Sequence, residues 1–503
     1  MLLDFAASFN RLRAVLRRPA VCPPVPSVDV TCPLVQPDAP LPAWVAHDPV
    51  VQKYRALLGD LPWEHFPERP TDHPWPGPLP HRRAPFAAAF LVKLHEGKRY
   101  MSDLRAFLVE HPALVYWLGF ERVPDPCASH GFDVAQTVPK RRHFSSVLRA
   151  LPNPSLQFLL DASIQLLRAT LPPDQRDLLG DTIAGDTQAL LAWVKENNPK
   201  QFIKEGRLDK TRQPVGDPDC KLGVKSRPNR APHDADGDDP PAPTTDAQPA
   251  NRLQVGVDIF WGYASGIVVT RLPDGTEIVL AERTRPFNES DPSYFHPLMH
   301  QVEQRLGRKP RFGAWDAAYD AHYVYDYFAQ AGGFAAVPFN PGKKGAGRQF
   351  APDGTPLCAA SLPMTLEFSY QHRAALVPHR REKYRCPLLH PSPSGETCPI
   401  GDAHFAKGGC ASTIAAGPGS RLRHTLDRSS PDYKALYAQR TMVERINSQA
   451  EALDMLHPKL RRGRAIGNRN TLTYVLINLR ALTRIRSAAQ EARPAADEPT
   501  RTT

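Results

Sequence analysis

Tyr437, Arg440, Glu444, Asn447 and Glu451 recur every three or four residues. On a helix they form one row, with a carboxylate flanked by a guanidinium one turn before and an amide one turn after. Leu436, Val443, Ile446, Ala450 and Leu453 form the apolar stripe that would hold such a helix against a core. As a solvated face, the row amounts to one Arg/Glu pair of little energetic consequence. As part of a site, it fixes one carboxylate on a rigid element, ready for a cation or a proton. Two further acids stand where a fold can aim them. Leu178–Thr187 reads as a short strand ending in Asp186-Thr187, followed by a helix or turn over 189–196. Phe312–Asp316 reads as a strand with Asp316 at its carboxyl end and a helix over His322–Gln330 behind it. Asp316 could equally cap a helix, although Asp320 is the better candidate for that cap.

Three carboxylates brought together suit phosphodiester cleavage and rejoining. That reaction needs an activated oxygen nucleophile and stabilised attacking and leaving oxygens, which two hard divalent ions held by Asp and Glu supply. The spacing Tyr-x2-Arg-x3-Glu at Tyr437–Glu444 resembles the signature of DDE transposases of bacterial insertion sequences. Trp-Asp316-Ala-Ala-Tyr319-Asp320 resembles the same family's Asp-x-x-Tyr-Asp, and Asp186-Thr187 its first Asp-Thr. The resemblance implies Asp186, Asp316 and Glu444 as catalytic and metal-binding residues, holding two Mg²⁺ or Mn²⁺ ions. It also implies Tyr437 and Arg440 as residues that position Glu444 or DNA. Asp181 and Asp258 are the fallbacks for the first position. The family continues with a Lys seven residues after this Glu, where this chain has Glu451. The basic run of Lys459, Arg461, Arg462, Arg464 and Arg469 is the nearest replacement for that DNA contact.

The 503 residues suffice for two or three domains. Lys and Arg number 63 against 52 Asp and Glu, a formal charge of +11 that suits a polyanionic partner. No apolar run reaches the length of a membrane helix. Met1–Arg18 reads as a basic amphipathic helix, not a secretory signal, because arginines interrupt it. The eight cysteines are scattered along the chain, which favours thiols or metal ligands over a disulfide frame and a cytoplasmic setting.

Residues 1–85 combine that helix with a proline-dense segment and a short helix near Val50–Leu58. Residues 86–175 read as helices, including Phe86–His95, Asp103–Glu110 with Ser102 as N-cap, and Ser155–Leu171. They resemble the family's helical DNA-binding domain, with Lys140, Arg141, Arg142 and Arg149 as a surface for phosphates. Residues 176–487 are expected to form the catalytic domain, with strands at Gln254–Ile259, Gly266–Thr270, Glu277–Glu282 and Gly333–Phe339. Helices are expected at Ser293–Leu306, Tyr433–Leu456 and Asn470–Ser487. Residues 211–251 lack periodicity and read as a disordered insertion, in which the acidic cluster Asp234–Asp239 is a solvated loop. The tail from Ala488 reads as disordered.

Residues 341–430 read as an insertion into that domain. Its Lys343, Lys344, Arg348, Arg380, Arg381, Lys383 and Arg385 suit phosphate contacts. Cys358, Cys386, Cys398 and Cys410 are enough for a tetrahedral zinc, but with no Cys-x2-Cys pair, buried thiols are the better reading. The expectation is an α/β fold: a ribonuclease-H-like mixed sheet with flanking helices, interrupted by an insertion and preceded by a helical domain. By resemblance it is a transposase that binds the inverted repeats of its element and cuts and transfers double-stranded DNA as a homodimer, without a membrane, in the bacterial cytoplasm or nucleoid. A nuclease of the same fold without strand transfer, or a transposase-derived DNA-binding protein without chemistry, are the alternatives.

Overall fold

A computed structural model describes residues 32–69, 81–198, 207–226, 257–340 and 347–491. The helix expected at Met1–Arg18 and the acidic cluster at Asp234–Asp239 lie outside them. The chain forms two compact units, Met1–Leu159 and Leu160–Thr503. The division falls inside a helix.

The first unit is helical: α1 (Pro49–Leu58), α2 (Arg83–His95), α3 (Met101–Glu110), α4 (Pro112–Leu118), α5 (Arg141–Ala150) and the start of α6 (Asn153–Thr170). α2 is apolar on almost every side and all of Ala84–Val92 is buried, so it forms the unit's centre. Phe86 meets Phe120 and Phe144 edge-to-face, with ring centroids 5.4 and 5.3 Å away. α4 ends at Gly119 with φ +79°, where a Cβ would fall 2.0 Å from Cys32 Sγ, so only glycine fits. Ser102 is not the N-cap of α3: the helix starts at Met101, and Asp103 reaches back to the Tyr100 amide at 3.0 Å.

The second unit is α/β. Its main sheet holds β1 (Thr182–Leu191), β2 (Lys221–Ser226), β3 (Val257–Arg271), β4 (Glu277–Pro286), β5 (Phe312–Ala314) and β6 (Phe334–Ala336). β3 lies antiparallel to β1, β2 and β4, while β5 is parallel to β1 and β6 is parallel to β5. β1 therefore sits in the middle of a mixed sheet. Several expectations need correction. β1 does not stop at Asp186-Thr187 but runs on to Leu191, because each residue from Ile183 to Leu191 pairs with β3. The two strands expected within 254–270 are one, since β3 has partners along its whole length. Residues 221–226, within the segment read as disordered, form β2.

Helices α7 (Phe295–Leu306) and α8 (His322–Gln330) flank the sheet. The single helix expected at Tyr433–Leu456 is two: α10 (Pro431–Ala438) and α11 (Thr441–Ala452), with Gln439 and Arg440 between them. The last helix, α12 (Gly463–Glu491), is longer than its apolar pattern suggests and includes the start of the tail read as disordered. Its buried side chains are partly polar, and they bind the sheet. Asn478 accepts from the Val279 amide at 2.9 Å and donates to the Val279 carbonyl at 3.0 Å. Asn470 donates to Thr284 Oγ1 at 2.8 Å, while its Oδ1 is buried without a hydrogen-bond partner, so this polar face is packed on the sheet rather than solvated.

Between β6 and α10 the chain makes a separate antiparallel sheet, β7 (Thr365–His372), β8 (His379–Arg385) and β9 (Ala411–Ala415), then α9 (Pro418–Thr425). Met364, Tyr384 and Ile414 form its small core, with Cys358 and Cys410 against it. No helix among the described residues is long and apolar enough to cross a membrane.

Candidate active site

Asp186 and Asp316 are brought side by side by the residues before them. β1 and β5 are parallel with Ala184 opposite Ala314, which places Gly185 beside Trp315 and Asp186 beside Asp316. Trp315 is fully buried, and a Cβ on Gly185 would lie 2.0 Å from its ring. Glycine and tryptophan thus interlock on one face of the sheet. Side chains alternate along a strand, so the two aspartates share the other face.

The turn after β5 fixes the second acid. Asp316 Oδ1 accepts from the Ala318 amide at 3.0 Å, and Tyr319, fully buried, meets Thr187 Oγ1 at 2.9 Å. Asp316 therefore caps a short 3-10 turn, Ala317–Tyr319, the role expected of Asp320. Asp320 does something else. It is nearly inaccessible, pairs with Arg423 of α9 at 2.8 Å, and accepts from Tyr325 Oη and the Asn340 amide, each at 2.7 Å.

Glu444 comes from α11, whose Met442, Val443, Ile446 and Ala450 are buried, leaving the other row outward. Arg440 joins the acids: Nη2 lies 2.6 Å from Glu444 Oε1 and Nη1 3.5 Å from Asp186 Oδ2. The break between α10 and α11 leaves Arg440 helical in φ and ψ, so the one-turn spacing to Glu444 survives. Glu444 itself is more than half exposed. Burial, and next the Asp316 charge, push the Asp186 carboxyl up to about 6 against the pull of its Thr187 amide bond and Arg440. Burial also raises Asp316, and Arg440 counters it.

A fourth acid, Asp291, stands at this site and escaped the sequence reading. It opens a 3-10 turn, Asp291–Tyr294, is hydrogen-bonded by Thr187, and is raised by burial and then by Asp316. An Asp-Pro before a helix looks like any cap, so no local signal pointed to it. The fallbacks drop out. Asp181 is held by Arg311 at 2.7 Å and Arg308 at 3.2 Å, which lower it from the usual carboxylate range. Asp258 pairs in register with Lys225, nine residues along β3 from Ile267, the partner of Asp186; that is roughly 30 Å of extended strand.

The residues expected to meet DNA are dispersed. Tyr437 stacks on Tyr433 at 5.9 Å and packs against the Ala336–Tyr433–Leu436 cluster, so its ring is a packing element. Lys459 and Arg461 lie over the Trp193 ring, 5.9 and 4.9 Å from its centre, and Arg461 Nε donates to the Trp193 carbonyl at 3.1 Å. Arg462 and Arg464 are exposed. Arg469 is not available to DNA: it is buried and donates to the Leu453 and Asp454 carbonyls, each at 2.7 Å. In the first unit Lys140, Arg141, Arg142 and Arg149 are all exposed at α5.

Cys410 is hydrogen-bonded to both Cys386 and Cys358, and burial foremost pushes its thiol up to about 12. Cys398 lies in the loop between β8 and β9. Among the described residues no group of three or more His, Cys, Asp or Glu is placed to hold a metal ion. At the aspartates the donor chemistry still suits a hard cation, since two desolvated carboxylates oppose each other with Arg440 as their nearby positive charge. Compared with known proteins, the chain matches no family model and no curated sequence.

Proposed function

We propose that this chain is a DNA-cutting and strand-transferring enzyme of the DDE transposase kind, with a ribonuclease-H-like core. The observation that carries the reading is the convergence of Asp186 and Asp316 on one sheet face with Glu444 tied to Asp186 through Arg440. A mixed sheet broken by an insertion is the arrangement that the resemblance implies, and here the segment after β6 carries a sheet of its own. Asp186 and Asp316 would hold Mg²⁺ or Mn²⁺, and Glu444 would complete a second site on parting from Arg440. Bound there, the ions would lower the cost of charge on the attacking and leaving oxygens. The chain's own residues set the geometry. Gly185 and Trp315 align the two aspartates, Thr187 and Tyr319 lock the turn, and Arg440 offsets part of the negative charge. Exposed Arg462, Arg464 and the α5 cations supply phosphate contacts to double-stranded DNA, and a homodimer would pair two element ends.

One observation favours a second reading, a transposase-derived DNA-binding protein without chemistry: Arg440 already pairs with both Asp186 and Glu444. A gel shift in calcium beside a cleavage assay in magnesium separates the two. Asp316→Asn and Glu444→Gln should keep end binding and lose cleavage. Cleavage at the wild-type rate in either variant refutes the mechanism, whereas a wild type that binds and never cuts supports the second reading.

A further inference from the structure

Where the inserted sheet meets the core, a cavity of about 340 Å³ is lined by Arg348, Arg381 and Arg423 together with the imidazoles of His322, His379 and His424. A fourth imidazole, His372 of β7, completes the wall. The cations outnumber their counter-charges. Asp320, also in the wall, is saturated by Arg423, Tyr325 and the Asn340 amide. Asp326 of α8, close to His379, is bonded to the Gly419 amide at 2.6 Å. Among the described residues neither Arg348 nor Arg381 has a carboxylate within ion-pair distance. Arg348 spends one nitrogen on the Thr413 carbonyl at 2.9 Å. Arg381 Nε, a fixed donor, and His372 Nδ1, a donor whenever it carries the ring proton, are buried with no hydrogen-bond partner, and a buried polar nitrogen is not left unsatisfied without cost.

The imidazoles crowd the same space. His322 and His379 rings lie 4.3 Å apart and His372 lies 5.6 Å from His379. Burial, then His379 and Arg381, push His322 down to about 4, with His296 of α7 and Arg423 adding to the effect. Burial, then Arg423 and Arg348, do the same to His424, which also falls to about 4. A tetrahedral oxyanion would pair the guanidiniums, accept from the orphaned donors and relieve this mutual repulsion.

We propose that this cavity is a phosphate-binding site, filled by a phosphate group through Arg348, Arg381 and the donors of His372 and His322. The site is separate from the carboxylate centre and does not rest on the transposase reading. The phosphate could belong to a nucleic-acid backbone or to a small free anion, since both present the same oxygens.

The test is calorimetric titration of the full chain with inorganic phosphate, and with sulfate, which carries no titrating proton near pH 5. Binding to one site is expected, with proton uptake at pH 5 seen as a dependence of the heat on buffer ionisation, because the bound anion raises His322 and His424. Arg381→Gln should weaken binding by at least about tenfold, and Arg348→Gln provides a second variant should the first misfold by circular dichroism. Asp316→Asn should bind phosphate as the wild type does, which keeps this result distinct from any failure of the cleavage assay. Displacement of the phosphate by short duplex DNA would assign the site to backbone phosphate, and binding without displacement to a free anion. Absence of saturable heat with both anions, or unchanged affinity in both arginine variants, overturns the proposal.

Discussion

The Asp186 carboxyl is the most informative single group. Its folded value of about 6 stands above the unfolded value near 4. Folding is therefore favoured with the proton on: this contribution is fully present below about pH 4 and is lost as pH rises through about 6. Asp186→Asn, which removes a buried charge opposed to Asp316, should stabilise the protein at pH 8 by on the order of 1–3 kcal/mol. It should give no gain at pH 4. Urea unfolding of wild type and variant at the two pH values checks this, and an equal difference at both would mean that Asp186 is not the group under strain. Arg440 works in the opposite sense, since it draws both aspartates toward the charged form. Arg440→Gln should accordingly raise the Asp186 pKa further, which carboxyl-carbon NMR titration would register as a later midpoint.

At the scale of elements, the site depends on two interlocks. Gly185→Ala forces a methyl into the Trp315 ring and should cost about 3 kcal/mol. Trp315→Leu in the same chain should recover part of that loss, whereas Gly185→Ala and Trp315→Leu acting additively in thermal unfolding would refute the interlock. The second is the Asp320–Arg423 pair, which fastens α9 and the inserted sheet to the core. Arg423→Ala leaves a nearly inaccessible carboxylate without its cation and should cost about 3 kcal/mol, and proteolysis within the inserted sheet should become faster. These interlocks also mark where the sequence was legible. The Arg440–Glu444 spacing is local and readable, because one helical turn fixes it. The apposition of Asp186 and Asp316 is set by strand register, and β1 looked shorter because the half-buried polar run Asp186-Thr187-Gln188 interrupts its apolar residues. The inserted sheet was hidden for a similar reason. β8 reads His-Arg-Arg-Glu-Lys-Tyr-Arg, with only Tyr384 buried, so no apolar alternation announced it.

For the whole molecule, charge is the property that bears on DNA. The chain carries a formal excess of +11, and exposed cations occur among the described residues of both units, so a salt-dependent affinity follows if DNA is the partner. Glu451 is exposed near the end of α11, two turns beyond Glu444 and on the same side of the helix. A phosphate approaching Glu444 would be repelled there, and the turn before α12 is the nearby source of opposite charge. Within that turn the cations are not equivalent. Arg461 is committed to Trp193, Arg469 is buried, and Arg462 is exposed, its backbone held by Asp217 and the Ile466 amide, each at 3.1 Å. Glu451→Lys should therefore strengthen end binding and steepen its salt dependence by about one phosphate contact, near 0.9 in the slope of log affinity against log salt. Arg462→Ala should lose about as much slope as Glu451→Lys gains, whereas Arg461→Ala should lose less. Because the two sites would share a strand of backbone, Arg462→Ala should also weaken binding less in the Glu451→Lys chain than in the wild type. A double-mutant cycle on the dissociation constant across a salt series measures all three quantities. Strict additivity with unchanged slopes would place α11's outer row away from DNA, and the catalytic reading of Glu444 would fall with it.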